Sequence, residues 1–359
     1  MQPTRYAYLD GLRGLAAILV MLRHSESLLG MATYRSYLAV DLFFLLSGFV
    51  IAHAYDERLR NGTLGFAEFA RIRLIRLYPI YLLSAVLALG VVIIGQVGGG
   101  KLNGDTAIQL SMAAAATAFF LPFPVSWTSY LFPLNSVYWS LFFELVVNFL
   151  YAAVRPRLTD TGVKCVLIVS GIACAVLALQ TDSLDHGYDF SAQGVIGGLA
   201  RSLFGFSLGV LLYERRAKLA ALLRGRFPPW FSFVLVAGVL GSPSVPGFDG
   251  IIALACIFFI LPLAMVGAAF ESPRNERLGS AMAALGAASY PLYTLHGPVI
   301  YVVWQVARRM GEQFLVPAGI VMMLGLIVVS IQLERRFDIP VRRWLNASRR
   351  NAGAKAAGR

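Results

Sequence analysis

Six short groups of polar residues interrupt an otherwise apolar sequence, and their types are those of acid–base and anion-binding chemistry. Arg13 and His24 stand eleven residues apart. At ~100° per residue that spacing returns to within about 20° of one helix face, with about 16 Å of rise between the two side chains. Asp41 opens a second apolar run, Val40-Asp41-Leu42-Phe43-Phe44 through Ser47-Gly48-Phe49. If successive runs are antiparallel spans, Asp41 lies at about the depth of His24. A buried carboxylate needs a partner, and His24 is the nearest candidate. A His–Asp pair holds an imidazole in one tautomer and prepares it to take a proton from an attacking hydroxyl.

Arg73 and Arg76 share a helix face at the level of Arg13. Three arginines at one mouth suit phosphate, which guanidinium groups bind in bidentate fashion. Ser140 and Glu144 share a face of a later run, with Glu144 near its centre, and Tyr293 and His296 share a face of another. Each group also has a plainer reading. Arg13 can snorkel to headgroups, and His24 and His296 can be packed core histidines. Asp41 can face water at the interface, Arg73 and Arg76 can be ordinary basic anchors, and Glu144 can tie helices together. Ionisable residues inside a membrane are costly, which makes them functional candidates by default.

The elements that carry these groups are read from composition. The 359 residues are 58% hydrophobic and 14% charged, with mean hydropathy +0.68, against about 25% charged in soluble domains. Apolar runs recur at 8–30, 38–55, 74–97, 106–123, 136–154, 163–180, 195–213, 229–243, 249–270, 285–306 and 316–334. Roughly 20 such residues span a bilayer. No polar block separates the runs, so 1–340 is expected to be one membrane-embedded domain, followed by a basic, disordered cytoplasmic tail at 341–359. The net charge of +12 sits in short loops and this tail, as the positive-inside rule requires, and does not indicate nucleic acid. Cys165, Cys174 and Cys256 lie within apolar runs and read as packing thiols. No cleavable signal peptide is visible.

Loops 56–73, 155–164, 214–226 and 271–284 are basic and want the cytoplasm, whereas loop 181–194 carries Asp182, Asp185 and Asp189 without Lys or Arg. Eleven crossings would put 56–73 and 155–164 on opposite sides. The conflict disappears if 106–134, Ala-rich with the exit Leu121-Pro122-Phe123-Pro124, is a re-entrant or outer-face segment. The fold class is therefore an all-α polytopic membrane protein. It has about ten transmembrane helices plus that peripheral segment, both termini being cytoplasmic, with Arg308 and Arg309 in an outside loop as a mild violation. No P-loop, dinucleotide glycine pattern, zinc-helix histidine pair or nucleophile elbow is present, and no metal site is expected.

Together Tyr8-Leu9-Asp10-Gly11-Leu12-Arg13-Gly14, the Arg13-to-His24 spacing, Val40-Asp41 through Phe49, Arg73-x-x-Arg76-Leu77-Tyr78-Pro79, Trp139-Ser140-x3-Glu144 and Ser289-Tyr290-x-Leu292-Tyr293-x-x-His296 resemble the membrane acyltransferase 3 family, in order, over about residues 6–340. The resemblance implies a ten-helix bundle of the inner (plasma) membrane that O-acylates, often O-acetylates, glycans, lipopolysaccharide, Nod-factor-like oligosaccharides or macrolides. Acetyl-CoA or another acyl-CoA would be the donor, with no bound cofactor. His24 would be catalytic with Asp41 and Glu144, Arg13, Arg73 and Arg76 would bind the donor, and Ser140, Tyr293 and His296 would bind substrate. Arg23, beside His24, departs from the motif. Some members carry a fused extracytoplasmic hydrolase-like domain, which this chain is expected to lack. The alternatives are a transporter or flippase for a glycan or lipid-linked substrate, using the same charges as a path, and a scaffold without chemistry.

Overall fold

A computed structural model describes residues 6–31 and 33–347. Eleven principal helices correspond to the eleven apolar runs: α1 (Ala7–His24), α2 (Ala39–Arg60), α3 (Phe66–Gly98), α4 (Gly104–Ala118), α5 (Tyr138–Val154), α6 (Asp160–Thr181), α7 (Ala192–Glu214), α8 (Pro229–Leu240), α9 (Asp249–Ala269), α10 (Glu276–Met310) and α11 (Leu315–Leu333). Among the described residues, extended backbone pairs only as two isolated bridges. Local sequence explains several starts. Asn103, Thr159, Ser191 and Asn275 each accept a hydrogen bond from a backbone N–H of the turn that follows, which satisfies a donor the helix itself cannot.

Six helical stretches are long and apolar enough to cross a membrane: Tyr34–Arg60, Phe66–Gly98, Asp160–Thr181, Ala192–Glu214, Asp249–Ala269 and Glu312–Ala347. Helices α5 and α8 are apolar but shorter. Helix α1 holds Asp10, Arg13 and Arg23 within its 18 residues. Helix α4 has 15 residues, only three of them buried, and it leads into the irregular segment 119–137. The last helix continues through a π-turn (Glu334–Asp338) to Ala347. Residues 341–347, taken from sequence as the start of a disordered tail, are therefore helical, and 348–359 lie outside the described residues. Cys165 is exposed, Cys174 and Cys256 are buried, and all three are free thiols.

Small residues let the central helices touch. A Cβ on Gly48 would come within 2.0 Å of the Phe206 carbonyl oxygen, and one on Gly209 within 2.2 Å of the Leu45 carbonyl oxygen. Helices α2 and α7 thus meet backbone to backbone, the usual way for helices to gain dispersion contact where no hydrophobic force drives them together. Gly14 brings α1 equally close to Leu285 of α10.

Buried charges cross-link the bundle at its ends. Arg155, 1% exposed, reaches Asp56 on α2, Glu214 on α7 and the Leu158 carbonyl. From sequence this residue reads as a loop cation; its burial makes it a rivet between three helices. At the opposite end Arg35 pairs with Asp249, both almost wholly buried.

Because Gly48 faces backbone that cannot yield, Gly48→Ala is expected to destabilise the detergent-solubilised protein by about 1–3 kcal/mol through overpacking. Gly90→Ala is the control, since a Cβ there meets nothing within 4 Å. Thermal unfolding of both variants checks this, and equal midpoints would remove the close contact.

Candidate functional site

Helices α1 and α10 run side by side, and both polar residues on the α1 stripe reach α10, as their eleven-residue spacing requires. Near the start of α1, Arg13 donates from Nε to Ser289 Oγ (2.8 Å) and from a terminal nitrogen to the Gly286 carbonyl (2.8 Å). At its end, His24 Nδ1 lies 3.2 Å from His296 Nε2.

The tautomers follow from the neighbours. His24 Nδ1 is 2.9 Å from the Val20 carbonyl and His296 Nδ1 is 3.1 Å from the Leu292 carbonyl. Carbonyl oxygens only accept, so both Nδ1 atoms carry hydrogen. His296 Nε2 is then a lone pair that shares the His24 Nδ1 proton. The remaining nitrogen, His24 Nε2, is left as a lone pair on a residue that lines an open cavity.

That cavity, about 410 Å³, is lined by His24, Arg23, Glu26, Asp185 and a set of aromatic residues including Trp139. A second cavity of about 210 Å³ lies toward the Arg13 end, lined by Arg13, Arg73, Arg76, Glu144, Ser140 and apolar groups such as Leu9, Phe43, Val50 and Leu77. Val40 and Tyr293 line both. The Tyr293 hydroxyl is 2.7 Å from Ser140 Oγ, and the two hydroxyls lie 3.3 and 3.1 Å from the Val137 carbonyl. This cluster joins α10 to α5 at the wall between the two spaces.

Backbone chemistry fixes that wall. Pro298 has no N–H, so it leaves the Thr294 carbonyl, one turn earlier, without its helical partner. Two side chains take the vacant place: Ser84 Oγ donates to it at 2.6 Å and Asn135 Nδ2 at 2.8 Å. The segment bearing Tyr293 and His296 is thereby tied to α3 and to the loop before α5.

One expectation is corrected. Asp41 does not pair with His24. Its two carboxylate oxygens accept from Arg201 Nε (3.0 Å) and a terminal Arg201 nitrogen (2.7 Å), because α2 turns Asp41 toward α7. Arg201 is 1% exposed; it also donates to the Tyr37 and His186 carbonyls and lies over the Tyr37 and Trp139 rings. His296, expected to bind substrate, is fully buried and lines neither of these two cavities; its Nε2 faces His24 Nδ1. The other residues singled out from sequence do line a cavity: Arg13, Arg73, Arg76, Ser140 and Glu144 the smaller one, Tyr293 both.

The three arginines of the smaller cavity are partnered rather than bare. Arg73 pairs with Glu144 at 2.8 Å, and the same Glu144 oxygen accepts from Ser47 Oγ at 2.8 Å. Arg76 is 3.4 Å from Asp338 and lies over the Tyr290 ring. Arg13 is 3.4 Å from Asp10. Ser47, Arg201, Asp185 and Asp338 escaped sequence reasoning as site residues. Arg201 carried a signal, being a charge in the middle of run 195–213. Asp338 and Asp185 lie outside the runs and carried none.

A helical membrane protein with two polar cavities along one helix pair is the class this architecture defines. The chain matches the family model described as "Acyltransferase domain" over residues 6–333. It therefore belongs to that acyltransferase family and is an acyltransferase. It is also similar to "Protein 2 in picA locus" of Rhizobium radiobacter, with 41% identity over 186 residues, covering 50% of this chain and 97% of that protein. No solved structure matches it.

If Arg201 and Asp41 form one structural unit, removing a single partner leaves a buried charge uncompensated. Asp41→Leu and Arg201→Met are each expected to lower stability by about 3–5 kcal/mol. The pair Asp41→Leu with Arg201→Met is expected to recover most of the loss. A double-mutant cycle on thermal unfolding in detergent measures the coupling, and strictly additive losses would refute it.

Proposed function

We propose that the chain is an integral membrane O-acyltransferase, an O-acetyltransferase in its simplest form. It would move an acyl group from cytoplasmic acyl-CoA to a hydroxyl of a surface or exported carbohydrate. The observation that carries this reading is that His24, its Nδ1 on the Val20 carbonyl, lines a polar cavity that adjoins, across Tyr293, a second cavity bearing three arginines.

The proposed topology has ten crossings with both termini cytoplasmic in an inner (plasma) membrane, α4 being the helix that does not cross. Support comes from the six long apolar stretches and the basic loops. The Arg13 end is then cytoplasmic and the His24 end is outside. Segments 119–137 and 182–191, both assigned outside on charge and composition, are joined by Leu131 N–H to the Tyr188 carbonyl (2.8 Å) and Phe190 N–H to the Ser129 carbonyl (3.0 Å). Their mutual pairing agrees with a common side.

In this mechanism Arg13, Arg73 and Arg76 hold the phosphates of CoA, exchanging part of their contact with Asp10, Glu144 and Asp338 for phosphate oxygens. The apolar wall of Leu9, Phe43, Val50 and Leu77 covers the pantetheine arm. The thioester lies at Tyr293 and Ser140, whose hydroxyls are the nearest donors for its carbonyl oxygen. His24 Nε2 takes the proton of the acceptor hydroxyl as that oxygen attacks the thioester carbon. The C–S bond breaks, the thiolate leaves and receives the proton, and the products are an ester and free CoA. His296 holds the ring of His24 in place throughout, and Asp41, bound to Arg201, supports the cavity wall rather than the imidazole.

The test supplies membranes containing the protein with labelled acetyl-CoA and a native glycan extract. Label is expected in an alkali-labile ester. His24→Ala is expected to reduce its formation by about 10²–10⁴-fold, the usual contribution of a general base, and His296→Ala by less, since it leaves the base present. Equal transfer by wild type and His24→Ala would remove His24 from the reaction, and no transfer by well-folded wild type would remove the donor assignment.

A further inference from the structure

The larger cavity, beside His24, has a composition that discriminates among acceptors. Arg23 is, among the described residues, the one guanidinium lining it. It donates to the Tyr34 carbonyl and, at 2.7 Å, to Asp185. Its Cζ lies 5.9 Å from the centre of the Tyr34 ring and 5.5 Å from that of Tyr37, within cation–π range. Asp185 therefore compensates its charge, and the two rings flank it. Glu26 on the same wall adds a further carboxylate, so the cavity carries one guanidinium against two carboxylates.

Aromatic side chains surround this pair. Tyr34 and Tyr37 meet edge to face, and so do Tyr130 and Tyr188 from the two joined loops. Trp139 completes the wall and is itself held by the Arg201 guanidinium. The loop backbone is built tightly against it: Gly187 has φ +132°, and a Cβ there would stand 2.2 Å from the Trp139 ring. A surface of amphipathic rings with a charged hydrogen-bonding pair at its centre matches a pyranose. The sugar offers an apolar C–H face to the rings and a rim of hydroxyls to the ion pair.

We propose that the Arg23–Asp185 pair is the specificity element of the acceptor subsite, and that it selects an uncharged or amino-bearing pyranose over one carrying a carboxylate. This rests on the acyltransferase reading above. Asp185 binds sugar hydroxyls and neutralises Arg23, so an anionic sugar finds no free cation and meets two carboxylates instead. Trading Asp185 for an amide frees the guanidinium and inverts part of that preference.

The experiment measures transfer of labelled acetyl from acetyl-CoA to three purified acceptors: maltooligosaccharides, chitosan oligomers and oligogalacturonides of matched length. Wild type is expected to label the first two in preference to the third. Asp185→Asn is expected to raise the KM for its preferred acceptor about tenfold, the loss of one charge-assisted hydrogen bond, and to shift the ratio toward oligogalacturonides. The KM for acetyl-CoA stays unchanged, which also reports that the variant is folded. Tyr188→Leu, which leaves the charges intact, is expected to weaken all three acceptors together. Preferential labelling of oligogalacturonides by wild type overturns the proposal, and so does an unchanged acceptor ratio in Asp185→Asn. Labelling of the native extract with none of the three purified acceptors accepted overturns it too. Absence of label in the extract as well removes the acyl-CoA donor assignment of the proposed function, a distinguishable result.

Discussion

A charge placed among packed apolar helices is tolerated only when it has a partner, and this requirement organises the bundle from end to end. Asp41 and Arg201 bind α2 to α7, Asp56 and Arg155 bind α2 to α5, Arg73 and Glu144 bind α3 to α5, and Arg35 and Asp249 bind the segment before α2 to α9. Each pair joins elements distant in sequence, so the pairs specify which helices are neighbours where apolar faces alone, all equally content with lipid, would not. Glycines then set how near those neighbours come. Gly48 and Gly209 bring α2 and α7 to backbone contact, and that closeness allows the short Asp41 side chain to reach a guanidinium on the next helix.

The same pairing divides the interior. Toward the Arg13 end, guanidinium groups outnumber carboxylates along the cavity wall; toward the His24 end, the carboxylates are in excess. Between them stand the Tyr293 and Ser140 hydroxyls and the side chain of Val40. A proline-induced gap in the α10 ladder, filled by Ser84 and Asn135, keeps that partition anchored to α3 and to the loop before α5. In the proposed reaction the anionic donor and the sugar acceptor approach from opposite sides and meet at this partition, where their different charge preferences no longer compete.

Much of this was legible in the sequence. The apolar periods gave eleven helices, and the run 106–123, singled out by its proline exit, corresponds to the short α4, in which only three residues are buried. The Arg13–His24 spacing identified the face of α1 that meets α10. Partner choice was not legible. Depth along the membrane normal put Asp41 near His24, but depth says nothing about rotation about the helix axis, and Asp41 faces α7. Arg201 was available as a signal, since a buried arginine demands a carboxylate and Asp41 offers one at matching depth. Arg155 was misread for a related reason. Position in a basic loop suggests solvent, whereas Tyr151, Asp56 and Glu214 enclose it.

The change of partner alters how the base is prepared. A carboxylate next to His24 would set its tautomer and stabilise the imidazolium at once. Here the two tasks are separated. The tautomer is set within α1 by the Val20 carbonyl, one turn back, and would persist if α10 moved away. His296, its own Nδ1 held by Leu292, adds a neutral contact that fixes the rotation of the ring. Helix register therefore aims the base, and no fixed negative charge lies behind it. A third carboxylate at this position would deepen the charge imbalance already present beside the acceptor cavity. Committing Asp41 to Arg201 avoids that, and it builds the Tyr37 and Trp139 wall against which, in the proposed reaction, the acceptor is held.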